Sequence, residues 1–268
     1  GMLARGHSRE FAERLFNQMK GFGDYGFPES HAASFALLAY ASAWLKCHYP
    51  AAFCCALLNS QPMGFYSPSQ LVQDLRRHGV TVLPVDVDRS EWDCTLETRD
   101  GQDPALRLGL RQISGFNAAA AGRIIAARRH RAFDDLHDLA RRALLDRGEL
   151  DLLAGAGALG RLGGHRHQAH WQAAAIEEPR PLFDRAEGVA AELLHDAVEL
   201  PAPDEAENLA QDYRSTGLTL GRHPLALLRT RQPFAGCRSA QDLQALNSGR
   251  FVRVAGLVTG RQRPGTAS

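Results

Sequence analysis

Three observations predict a mainly α-helical chain with one small extended element. Apolar residues recur at i, i+3 and i+4 through most of the apolar stretches, the periodicity of a helix with one buried face. Alternating or β-branched runs are short: residues 80–87, residues 250–259, and the opening of 106–131, where apolar residues alternate around Arg107 and Arg111. Glycine and proline divide the remainder into short segments. With 268 residues and 44% hydrophobic content the chain can bury one large core or two to three small ones. The divisions read as a helical part at 1–78, a small extended element at 79–104, a hairpin module at 105–172, a helical linker region at 173–249, and at 250–268 the beginning of a β unit.

Taken in order, the residues from Ser8 place Phe11, Leu15, Phe16 and Met19 on one face, with Ser8 as cap and Gly21 as stop. Glycines and aromatics crowd residues 21–28 too densely for a helix, which predicts a rigid aromatic loop. Pro28 holds Phe27 extended. Glu29, Ser30 and His31 open a helix over 32–49 whose Phe35, Leu37, Leu38, Tyr40, Trp44 and Leu45 are interrupted by hardly a charge. Burial on most sides is the expectation. Pro50 ends it, and a third helix follows at 51–59. Residues 69–78 read as a helix with Leu71, Val72 and Leu75 inward, then 80–87 as an edge strand or an extended segment, because Pro84 interrupts it. The acidic residues 97–103 read as a turn between two short strands.

Residues 106–131, LRLGLRQISGFNAAAAGRIIAARRHR, hold six arginines and no acid. Two short helices joined at Ile113, Ser114, Gly115, Phe116 and Asn117 are predicted. Gly115 supplies the positive φ that a Cβ resists, and Asn117 is the next most tolerant type. The N-terminus of the second helix then presents outward amides and the positive end of a dipole, a setting for an anion. With Arg107, Arg111 and Arg123 beside it, the anion expected is a phosphate.

Two motifs here are decoys. Residues 155–160 satisfy GxGxxG, yet the preceding residues 149–153 are helix-prone, whereas a dinucleotide site needs a strand there. His165, His167 and His170 lie close in sequence but cannot share one helical face, so a solvated helix start is expected and no metal. The five cysteines, at 47, 54, 55, 94 and 237, lack CxxC spacing and read as reduced thiols of a cytoplasmic protein. No apolar run approaches the ~18 residues of a membrane span. Gly1, Met2 and Leu3 pass directly into helical pattern, as in a piece of a longer chain.

The turn at 113–117 resembles a helix-hairpin-helix, with Asn117 where the motif's last glycine stands. A wider resemblance rests on Gly23, Asp24, Tyr25, Gly26, Phe27, Pro28, Glu29, Ser30 and His31, then Trp44, Leu45 and Lys46, and His48, Tyr49 and Pro50. These are similar to the fingers of bacterial DNA polymerase III alpha subunits. Glu29 and the run Leu58, Asn59, Ser60, Gln61, Pro62, Met63, Gly64, Phe65, Tyr66 resemble the error-prone, damage-inducible branch. The resemblance implies helical fingers, tandem helix-hairpin-helix modules and the first strand of a truncated oligonucleotide-binding barrel (OB-fold). It also implies a deoxynucleoside triphosphate near Ser30 and His31, and primer-template or other duplex DNA against Arg107, Arg111, Ser114, Gly115, Phe116, Asn117 and Arg123.

No catalytic residue is expected, because no aspartate pair on a strand forms a palm; Mg²⁺ is implied only in the parent polymerase. Accessory mutagenesis proteins are possible partners. A sliding-clamp contact is doubtful, since Pro179 stands where the clamp peptide has glutamine before Leu182 and Phe183. The reading of another class is a stand-alone, non-catalytic hairpin adaptor for DNA.

Overall fold

A computed structural model describes residues 5–23, 29–98, 103–176, 198–258 and 261, with backbone alone at 21–23, 29 and 30. Of the aromatic loop expected at 21–28, residues 21–23 continue the first helix past the expected stop at Gly21, and residues 24–28, like 99–102 and the clamp-like residues 179–183, lie outside the described residues. The chain divides into two units, residues 1–53 and 54–268.

In the first unit, helix α1 spans Arg9–Gly23, and the Ser8 hydroxyl accepts the Phe11 amide at 3.2 Å, the predicted cap. Helix α2, Glu29–His48, has the predicted extent but not the predicted burial. Phe35 is 56% exposed, Leu37 70% and Tyr40 72%. Their apolar character runs around the helix, and one unit of two helices has too little surface to cover every side. Pro50 opens α3, Pro50–Asn59, at the position where a missing amide costs least.

The second unit holds the core. Helix α4, Pro68–Arg77, starts from a full capping box between Ser67 and Gln70 and buries Val72 and Leu75. Three short strands follow: β1 (Val82–Leu83), β2 (Thr95–Glu97) and β3 (Ala105–Arg107), in the order β1-β3-β2. β1 runs parallel to β3, with Val82 opposite Leu106, and β2 runs antiparallel, with Thr95 opposite Arg107. The proline-bearing segment is thus an edge, as a strand that lacks a donor requires.

The first helix predicted for the 106–131 stretch is instead β3 followed by a single 3-10 turn, Leu110–Gln112. Residues 105–110 are buried without interruption, and β3, the middle strand of the sheet, is held extended by pairing on both sides. Gly109 permits the close approach this needs: a Cβ there would lie 2.4 Å from the Trp92 carbonyl oxygen.

Beyond the turn come α5 (Ala118–His130), α6 (Leu136–Ala143), α7 (Arg147–Gly155), α8 (Gly160–Gly163) and α9 (Arg166–Ala175). α5 packs on α6 and α7 on α9, around Ile124, Phe133, Leu139, Leu150, Leu153 and Leu159. The GxGxxG residues form the end of α7 and its turn. Gly157, at φ +70°, leaves room for the Arg166 guanidinium, which a Cβ would meet at 3.1 Å. The helix α10, Glu205–Ser215, closes on this body through Asn208 and Asp212, both bonded to Arg166. Short helices α11 (Pro224–Leu228) and α12 (Ala240–Gln244) follow. Residues 251–258 form no strand: one bridge joins Val254 to Arg238, and Phe251 is fully exposed.

Candidate nucleic-acid interface

The turn between the 3-10 segment and α5 is built as a hairpin tip. Ile113 is buried, Gly115 adopts φ +80°, and Phe116 is buried at 7% exposure. Asn117 is the N-cap of α5: its side-chain oxygen accepts the Ala120 amide at 2.8 Å. This corrects its reading as a residue chosen for tolerance of a left-handed backbone: Asn117 is extended at φ −110° and serves as the cap, which glycine has no side chain to do.

Ser114, Gly115, Asn117, Ala118 and Ala119 are exposed. The Ser114 amide donates to the Ser215 carbonyl at 2.7 Å and the Phe116 amide to Ile113 at 3.1 Å. Among the described residues, no internal acceptor faces the amides of Gly115, Asn117, Ala118 or Ala119. These outward donors share the positive end of the α5 dipole, which is what an anionic oxygen requires.

The arginines are arranged differently from the expectation. Arg107, 8% exposed, donates to Glu97 at 2.6 Å and to the Pro84 carbonyl at 2.9 Å. Arg111 is held by Asp93 at 2.6 Å and by the carbonyls of Asn59 and Gln61. Arg123 bridges the Ala143 and Leu144 carbonyls and the Glu149 carboxylate, at 2.7 Å to the nearer oxygen. Arg128 and Arg131 pair with Glu91 and Asp138. A stretch with no acid of its own therefore meets acids from elsewhere in the chain, which pair five of its six arginines and leave Arg129 without an ion pair among the described residues. The sequence shows which residues are basic, but not which carboxylates fold against them.

Two exposed cations escaped the sequence reading. Arg129 near the end of α5 and Arg147 at the start of α7 make no ion pair among the described residues. Glu149 was also missed, although Asp146 and Glu149 have the spacing of a capping box and form one.

The other candidates are placed as follows. Ser30 lies in the first turn of α2, and His31, exposed, sets its ring edge-on to Phe35 with centroids 4.5 Å apart. His165 caps α9 and contacts the Leu200 carbonyl, His167 contacts that of Pro201, and His170 the Asp151 carboxylate. Among the described residues no three His, Cys, Asp or Glu side chains converge as a metal would require. Burial raises the Cys54 thiol to about 12 and that of Cys55 to about 11, so neither is a nucleophile at neutral pH. No helix among the described residues is long and apolar enough to cross a membrane.

Residues 79–169 match the family model described as "Helix-hairpin-helix motif". Three relatives named "Error-prone DNA polymerase" align with 100% of this chain. That of Methylococcus capsulatus is 54% identical, that of Pseudomonas aeruginosa 58% and that of Azoarcus sp. strain BH72 60%. The chain spans 27%, 26% and 25% of their respective lengths. Along its whole length the chain is a close homologue of about a quarter of the error-prone DNA polymerases, and it carries a helix-hairpin-helix motif.

Proposed function

We propose that this chain is the part of an error-prone DNA polymerase that holds duplex DNA by its backbone, through the turn at residues 114–119. The observation that carries the reading is the row of unpaired amides at the α5 N-terminus, within a segment that matches a helix-hairpin-helix motif. Amides aimed at phosphate oxygens position a duplex without reading its bases, because a glycine turn reaches no base edge. The whole-chain likeness to polymerases favours this over a stand-alone hairpin adaptor, since it extends well outside the hairpins.

On this reading α2 and the residues before it are the fingers, with Ser30 and His31 facing a deoxynucleoside triphosphate. The residues from 250 correspond to the beginning of an OB-fold. The parent's Mg²⁺ does not fit the residues here. The buried or paired carboxylates of Glu97, Asp138 and Glu149 are engaged by arginines, and no three candidate ligands converge among the described residues. No chemical step is assigned to this chain. Its contribution to phosphoryl transfer is positioning.

The test is duplex binding followed by fluorescence anisotropy across a salt titration. Gly115→Val puts a β-branched residue at φ +80° and misaims the amides, so affinity for all sequences falls together. Wild-type affinity in that variant refutes the assignment of the turn as the contact.

A further inference from the structure

We infer that Glu149 is a positioning residue for the DNA-contacting turn, acting through the side-chain amide of Asn117. The inference rests on the reading of that turn as the DNA contact, and it concerns what fixes the turn's aim. Glu149 is 9% exposed and is the meeting point of three elements. It closes the capping box of α7, accepting the Asp146 amide at 3.1 Å. It also accepts Arg123 of α5 at 2.7 and 2.9 Å, and the Asn117 side-chain nitrogen at 3.2 Å.

The Asn117 side chain is thereby bound at both ends. Its oxygen caps α5 through Ala120 and its nitrogen donates to Glu149, which leaves one orientation of the amide plane compatible with both bonds. A cap held only by its own helix can swing with the loop, whereas one tied to α7 fixes the first turn of α5 to the second hairpin. The free amides of Asn117, Ala118 and Ala119 radiate from that turn. The same carboxylate keeps Arg123 on internal carbonyls, so the contact depends on aimed amides more than on arginine charge.

The variant that isolates the link is Asn117→Ser in the full chain. Serine caps a helix about as well as asparagine but has no second donor to reach Glu149, so the melting temperature stays close to wild type. With mixed-sequence duplex DNA as the probe, affinity is expected to fall roughly threefold to tenfold, the worth of one ordinary hydrogen bond, since Asn117 is exposed to solvent. The slope of log affinity on log salt is expected to stay unchanged, because no phosphate-neutralising cation is removed. Glu149→Gln is expected to weaken binding too, and the double variant to bind no worse than the weaker single one, since both cut one connection.

Wild-type affinity in Asn117→Ser, or losses that add in the double variant, overturns the inference. So does a Glu149→Gln protein that binds more tightly with a steeper salt slope, because Arg123 would then be a phosphate ligand that Glu149 merely restrains. Gly115→Val separates the two levels. If it weakens binding while Asn117→Ser does not, the positioning role alone fails, and if it leaves binding intact, the turn is not the contact and both fall.

Discussion

Arg123→Ala distinguishes a structural arginine from a phosphate-binding one. The substitution removes the bonds to the Ala143 and Leu144 carbonyls and both contacts with Glu149. It leaves the Glu149 side chain, 11% exposed, with two remaining donors, the Asp146 amide and the Asn117 side chain. Breaking a fully buried pair costs about 3–5 kcal/mol. The Arg123 side chain is 35% exposed, so solvent screening reduces this to about 2 kcal/mol. For a chain of this size that is a fall of about 4–8 °C in melting temperature. The assays are thermal unfolding by circular dichroism and duplex binding against salt. The expected outcome is the lower melting temperature with an unchanged salt slope. A slope flatter by about 0.9 with unaltered stability would mean that the pair opens on DNA and Arg123 contacts a phosphate.

Two further outcomes follow from the same geometry. Burial works to raise the Asp138 carboxyl, but hydrogen bonds from Arg142 and the Asp134 amide, with the charges of Arg142 and Arg131, hold it below the usual carboxylate range. A depressed carboxyl stabilises the fold above its unfolded value of about 3.9, and that contribution is lost as pH falls through the folded value. Asp138→Asn should therefore cost about 3 kcal/mol at pH 7 and make stability, measured by urea unfolding, less steep in pH below about 4; an unchanged acid limb would refute the assignment. Gly109→Ala should cost more than Gly115→Ala in the same assay. The first drives a Cβ to 2.4 Å from backbone, whereas the second meets nothing closer than 3.9 Å and suffers only the left-handed strain of about 1–2 kcal/mol. Equal losses would show that the Gly109 contact relaxes freely.

Much of the local structure was legible because its causes are local. The Ser8 cap, the start of α3 at Pro50, the inward residues of α4, the edge strand broken by Pro84 and the left-handed Gly115 each depend on a few neighbouring residues, and each is present. The resemblance to error-prone polymerases was also carried by the residues themselves and agrees with the relatives. Tertiary structure decided what depends on partners distant in sequence. α2 reads as a buried helix by composition, but burial is a property of what surrounds it, and its large apolar residues are exposed. The residues from Leu106 to the turn at 113 read as the first of two short helices although their apolar residues alternate, but pairing on both sides of β3 and the backbone contact at Gly109 hold them extended up to the 3-10 turn. The basic stretch reads as a phosphate grip, but Glu97, Asp93, Glu149, Glu91 and Asp138 fold onto its arginines. Charge is written residue by residue, whereas neutralisation requires a partner brought within about 3 Å, and only the folded chain determines which carboxylate that is.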